Sequence, residues 1–261
     1  MTILDTIADH ARERVRRDKA AVSCGEMRER ALALGPGGGE RFLAAVTRPG
    51  LSFICEVKKA SPSKGVIDPV FDYRGIASCY EAAGADAISC LTEPKWFLGS
   101  DRIFREIRER VKTPMLRKDF TVSTYQIYQA RMMGANAVLL ICAILGDREL
   151  AEYLDLSREL GLAALTEAHD EAEIDRAVRC GAEIIGVNNR NLKDFSVNVA
   201  NAERLRDRVP AGCLYVAESG VTGPEDADRI RRAGADAALV GEALMRAADR
   251  AAMLAALRRP V

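Results

Sequence analysis

The sequence predicts an α/β fold, a (β/α)8 TIM barrel with an N-terminal helical extension, on three observations. One plan recurs: EAAGADAISCLTE, RMMGANAVLLICA, VRCGAEIIGVNN and RRAGADAALVGE each lead from a helical stretch through a glycine into a short apolar strand with a polar end. Adding strands that lack this lead-in gives eight, near 52–58, 86–91, 114–118, 137–141, 162–167, 183–188, 213–218 and 236–240. Helical patterns follow them, and eight such units of roughly 25 residues make a closed barrel. An open doubly wound sheet also alternates strand and helix, but it usually has fewer strands and a glycine-rich first turn. The first turn here is SPSKG.

Taken in order, residues 1–45 read as an extension capping the barrel, and 46–261 as the catalytic barrel itself. The extension opens with an amphipathic helix, MTILDTIADHARERVRRDK, and ends in a GPGGG linker at 35–39. Arg12, Arg14, Arg16 and Arg17 read as one solvated basic face of that helix. Among the barrel helices, the patterns at 73–84, 101–111, 123–134 and 224–234 are the clearest. Gly84, Gly134, Gly181 and Gly234 hold the position just past a helix end, where a positive φ is usual and glycine tolerates it.

Composition narrows the function. The 261 residues carry 38 basic and 38 acidic side chains, so no positive field marks a nucleic-acid partner. No apolar run approaches the roughly 20 residues that span a bilayer, and the N-terminus has no signal-peptide core. Seven cysteines without a CxxC pair read as reduced, mostly buried thiols in a cytoplasmic protein. With two histidines, His10 and His169, a histidine-based metal site is not expected. His169 reads as capping or solvating the loop after the fifth strand.

The strand ends carry the chemistry. Side chains alternate along a strand, so Ile54, Glu56 and Lys58 share one face while Cys55 and Val57 take the other. Val57 suits the helix layer, which turns Glu56 and Lys58 into the barrel. The same parity groups Leu116 with Lys118 and Phe120, Ala163 and Leu165 with Glu167, Ile184 and Gly186 with Asn188, and Leu214 and Val216 with Glu218. Each inner face starts apolar or small and ends polar, and active sites of this fold lie at that end. A single charge at a strand end is ordinary solvation. Two lysines, three glutamates and an asparagine converging on one cavity are better explained by function, since buried charge is costly. Glycines just past the seventh and eighth strands, Gly220 and Gly241, suit close backbone approach to an anion, and these two loops often bind phosphate.

The segments FICEVKKASPSKG, LTEPKWFLGS, MLRKDF, GVNNRNL, VAESGV and LVGEALMR resemble, in order, the motifs of the indole-3-glycerol-phosphate synthase family, and ILDTIADHARERV resembles its first helix. The resemblance covers nearly the whole chain. It implies a barrel enzyme of tryptophan biosynthesis that uses no cofactor and no metal. It also implies a sugar-phosphate substrate, 1-(2-carboxyphenylamino)-1-deoxyribulose 5-phosphate, closed to indole-3-glycerol phosphate with loss of carbon dioxide and water. Lys58 would lie near the substrate carboxylate and ketone, Lys118 would be the general acid and Glu167 the general base. Glu56, Asn188 and Glu218 would orient them, and Arg190 and Ser219 would complete the polar shell. Ser219, Gly220, Gly241 and Glu242 would hold phosphate; Pro62, Phe97, Phe120 and Leu192 would surround the aromatic ring. Other enzymes of the same pathway are the expected partners.

Sequence alone leaves open which lysine donates each proton. Leu98 and Trp96 depart from the family's usual polar and smaller aromatic residues, which puts a loop hydrogen bond in doubt. Two rivals stand beside this reading. One is a Schiff-base aldolase barrel, which needs a neutral lysine; the other is a non-enzymatic binding barrel.

Overall fold

The computed structural model describes residues 2–190 and 196–259. Eight parallel strands close into one barrel: β1 (Ser52–Val57), β2 (Ala87–Leu91), β3 (Met115–Lys118), β4 (Ala137–Ile141), β5 (Ala163–Ala168), β6 (Ile184–Asn188), β7 (Leu214–Glu218) and β8 (Ala237–Val240). Each strand pairs with its sequence neighbours, and β1 closes the ring on β8, with Cys55 beside Val240. All eight expected strands are present, with ends shifted by a residue or so.

Helices α4 (Tyr73–Ala82), α5 (Asp101–Arg110), α6 (Thr124–Met132), α7 (Asp147–Glu159), α8 (Glu171–Arg179), α9 (Ala200–Leu205), α10 (Pro224–Arg232), α11 (Glu242–Arg246) and α12 (Arg250–Arg258) complete the strand–helix repeat. The recurring glycine does what the sequence implies. Gly84 and Gly134 follow α4 and α6 at φ +79° and +76°, where a side chain would be strained.

Two apolar cores result. Between sheet and helices lie Phe53, Cys55, Val57, Ile88, Phe104, Ile107, Tyr215 and their neighbours, all fully buried. Inside the barrel lie Ile54, Leu116, Leu139, Leu165, Ile184, Val216 and Leu239. The parity assigned to Ile54, Leu116, Leu165, Ile184 and Val216 is therefore the observed one. Cys55 sits in the helix layer, and burial pushes its thiol up, far from a reactive thiolate.

The segment before β1 is richer than one helix and a linker. It folds as α1 (Ile3–Ala21), α2 (Cys24–Leu32) and α3 (Gly39–Val46). Phe42 and Val46 of α3 join the inner barrel core, while Ile3, Leu4 and Ile7 of α1 face the cavity at the opposite end. The glycine run acts by close contact. Gly37 and Gly39 donate backbone hydrogen bonds to Leu160 and Gly161, each 2.8 Å, and a Cβ on Gly39 would overlap the backbone at Leu162 and Ala163. Arg14 is not solvated: its guanidinium grips both oxygens of buried Asp119 at 2.6 and 2.8 Å. Arg12 and Arg16 keep the expected exposure.

Candidate active site

The C-terminal ends of the strands open into a cavity of about 890 Å³. It is lined by Glu56, Lys58, Pro62, Phe97, Lys118, Phe120, Glu167, Asn188, Arg190, Glu218, Ser219, Gly220, Gly241 and Glu242. Strand register explains the convergence. Pairing sets Glu167 beside Gly186 and Asn188 beside Glu218, so the polar termini of β5, β6 and β7 form one rim. Leu192 lies outside the described residues.

Within this cavity the charges divide into two groups. Lys118 Nζ lies 3.3 Å from Glu167 Oε2 and 3.4 Å from Glu218 Oε2. Asn188 Nδ2 donates to the other oxygen of Glu167 at 3.2 Å. Lys58 instead bonds Glu56, and both pack against Gly241, where a Cβ would overlap them. Gly241 thus leaves room for an ion pair, with its φ of −115° posing no steric demand of its own. Gly186 has the same function on β6, since a methyl group there would collide with Glu218 Oε1.

These neighbours set the protonation states. Burial disfavours the Lys118 ammonium, but Glu218, Glu167 and Glu56 outweigh it and hold its pKa above the ordinary lysine value. Lys118 is thus an ammonium donor near neutral pH, the opposite of the neutral amine a Schiff base requires. Burial works against the Glu167 carboxylate, yet Lys118, His169 and Asn188 hold its pKa below the usual range. Glu218 goes the other way: burial, with Glu167 adding to it, lifts its pKa to about 7 against the pull of Lys118. Two similar carboxylates are thereby separated, one held ionised and one that titrates near neutrality.

The loops complete the walls. Buried Glu93 accepts from the backbone N–H groups of Lys95, Trp96 and Phe97 at 3.0, 2.7 and 3.1 Å, which fixes Phe97 at 6.1 Å, ring to ring, from Phe120. Leu98 follows at φ +54°, a left-handed conformation that suits asparagine better than leucine. Trp96 stacks edge-on against His10 of α1 at 5.3 Å.

After β7, Ser219 and Gly220 are both left-handed, at φ +64° and +91°, and Ser219 takes this strained turn at the cavity edge. The Glu242 carboxylate pairs with Arg246 at 3.1 Å and Lys64 at 3.6 Å, both of which also line the cavity. Lys64 belongs to a short antiparallel hairpin, 60–61 with 65–66, that follows β1 over the mouth.

Sequence reasoning missed several cavity residues. Ile3, Leu4 and Ile7 carried an amphipathic signal, but nothing local told which surface their apolar face would cover. His169 was misread. It has the inward parity of Glu167, two residues on, and its ring lies between Glu167 at 3.4 Å and Glu173 at 3.2 Å. Among the described residues, no cluster of three or more His, Cys, Asp or Glu side chains is arranged to hold a metal ion.

A family model described as indole-3-glycerol phosphate synthase matches residues 4–257. The chain belongs to the indole-3-glycerol phosphate synthase family. Members of that name from Ruminiclostridium cellulolyticum and Endomicrobium trichonymphae are 50% and 46% identical to it, over 98% of this chain and 98% and 99% of theirs. The member from Lactiplantibacillus plantarum is 53% identical over 84% of this chain and 85% of its own. Solved structures of an N-acetylmannosamine-6-phosphate 2-epimerase from Clostridium perfringens and a thiamine phosphate pyrophosphorylase from Pyrococcus furiosus share the fold. Their TM-scores are 0.60 and 0.61 at 16% identity, covering 77% and 83% of this chain and 90% and 96% of theirs. As in its family, the chain is an enzyme with a small-molecule substrate, and no described helix is long and apolar enough to cross a membrane.

Proposed function

We propose that this cavity closes the ring of 1-(2-carboxyphenylamino)-1-deoxyribulose 5-phosphate to give indole-3-glycerol phosphate, with Lys118 as general acid and Glu167 as general base. The observation that carries the assignment is the Lys118 ammonium held between the buried carboxylates of Glu167 and Glu218 at 3.3 and 3.4 Å. Attack of the aromatic carbon on the ketone needs a proton on the ketone oxygen, and an ammonium kept charged by carboxylates supplies it. Loss of carbon dioxide restores the aromatic ring. Dehydration then needs an acid for the departing hydroxyl and a base for the neighbouring C–H, which Lys118 and Glu167 provide side by side.

Lys58, paired with Glu56 beside Gly241, serves the substrate carboxylate and ketone. Asn188 and Glu218 orient the acid and base, and Arg190 completes the polar wall. Phe97, Phe120 and Pro62 enclose the aromatic ring; Ser219, Gly220, Gly241 and the backbone of Glu242 receive phosphate. Folding a flexible chain so that two carbons meet accounts for much of the rate. The division into a capping extension, 1–45, and a catalytic barrel, 46–261, belongs to the same reading, as do a cytoplasmic location and neighbouring tryptophan-pathway enzymes as partners.

The test is to mix the purified protein with this substrate, without added metal, and follow indole fluorescence. Lys118→Met is expected to lower turnover by roughly 100-fold or more with the fold intact by circular dichroism. Wild-type turnover in that variant removes Lys118 from the mechanism.

A further inference from the structure

Ring closure, on the reading above, has a charge balance that Lys118 and Glu167 cannot meet alone. The carbon–carbon bond forms, the C=O π pair takes up a proton, and the ring–carboxylate bond breaks, its electron pair rebuilding the aromatic system. An ionised carboxylate leaves as neutral carbon dioxide, so one proton is consumed. Dehydration is neutral: a C–O and a C–H bond break, a C=C bond forms, Lys118 gives one proton and Glu167 takes one. Those two reset each other across 3.3 Å. The proton used in ring closure must come from solution in every turnover, while substrate fills the mouth of the cavity.

A path to solvent leaves the site behind Glu167. Its Oε1 lies 3.4 Å from His169 Nε2, a fully buried nitrogen without a hydrogen-bond partner. On the other side of the ring, Nδ1 lies 3.2 Å from Glu173 Oε2. The side chains of His169 and Glu173 are 18% and 16% exposed, against 4% for Glu167. Glu173 also accepts the His169 backbone N–H at 2.8 Å, and Asn201 of α9 donates to the His169 carbonyl at 3.4 Å, so the ring is held in place.

We propose that His169 and Glu173 form a proton-supply relay from solvent to Glu167 and Lys118. As Nδ1 accepts a proton passed in by Glu173, Nε2 releases one to Glu167 Oε1, and Glu167 hands one from Oε2 to the neutral Lys118 amine. Exchange with water between turnovers restores the starting tautomer. The groups facing the imidazole are Glu167 from β5 and Glu173 from α8, with Glu218 of β7 beyond them. Burial lowers the His169 pKa, but Glu173 and Glu167 more than offset it and leave it above the ordinary histidine value, so the ring loads readily at neutral pH.

The test is single-turnover indole formation by His169→Gln, whose amide can keep the contacts but cannot carry a proton. The rate is expected to fall at least about 10-fold with substrate affinity unchanged, and imidazole added to the buffer is expected to restore it in proportion to concentration. Glu173→Gln is expected to slow the reaction less, and most at high pH. A His169→Gln rate within about twofold of wild type overturns the relay. So does a slow rate that imidazole leaves unchanged, which would make His169 a purely structural support. Absence of indole from the wild-type protein would instead overturn the underlying ring-closure reading.

Discussion

At the scale of single residues, the site works by giving like groups unlike surroundings. Glu218 has the clearest consequence. Its folded-state pKa of about 7 stands above the unfolded value near 4.5, so between these values the folded protein binds more protons. Stability from this group is therefore fully present below the unfolded pKa and is lost as pH rises through about 7. Glu218→Gln is expected to flatten this trend, so that urea midpoints at pH 5 and pH 8 differ less in the variant than in wild type. An equal pH dependence in both would contradict the assignment. Leu98 is a simpler case. Its left-handed backbone costs about 1 kcal/mol for a leucine. Leu98→Asn is expected to raise stability by roughly 0.5–1 kcal/mol in urea unfolding, and a destabilised variant would show that its side-chain packing matters more than its φ.

At the scale of elements, α1 is part of the site's wall, and a buried ion pair helps to fasten it. Arg14 reaches Asp119, the residue between Lys118 and Phe120, and Asp119 also accepts from Thr92 at 2.7 Å and pairs with Arg117 at 3.3 Å. Burial alone would disfavour the Asp119 carboxylate, but Arg14 and Arg117 hold its pKa below the usual range. Arg14→Ala is expected to cost about 3 kcal/mol, the low end for a broken buried pair because Arg117 and Thr92 remain. It is also expected to raise KM more than it lowers kcat, since Ile3, Leu4 and Ile7 would no longer be held against the cavity. Steady-state kinetics beside urea unfolding checks both. Unchanged stability would mean that the apolar contacts of α1, with the hydrogen bonds that Asp18 accepts from Tyr125 and Gln129, hold it without this pair.

At the scale of the whole molecule, a closed parallel barrel ties every strand end to every other, so a ligand at the rim stabilises the entire fold. A substrate analogue with its ketone reduced to an alcohol, at 100 times its Kd, is expected to add about 2.7 kcal/mol and raise Tm by roughly 5 °C. The same analogue without its phosphate is expected to shift Tm less at equal concentration; equal shifts would remove the phosphate seat near Gly220 and Gly241. Local pattern along the chain is enough to specify the barrel, because the glycine-led repeat and alternating parity are local properties of backbone and burial. It also determined the inward set from Glu56 to Glu218, because parity is a property of one strand at a time. Which lysine pairs with which carboxylate, the burial of Arg14, the place of α1 in the cavity wall and that of His169 behind Glu167 emerge from the packed fold. Those pairings join residues far apart in the chain or on separate elements, and their energies depend on distance and burial, which no local pattern encodes.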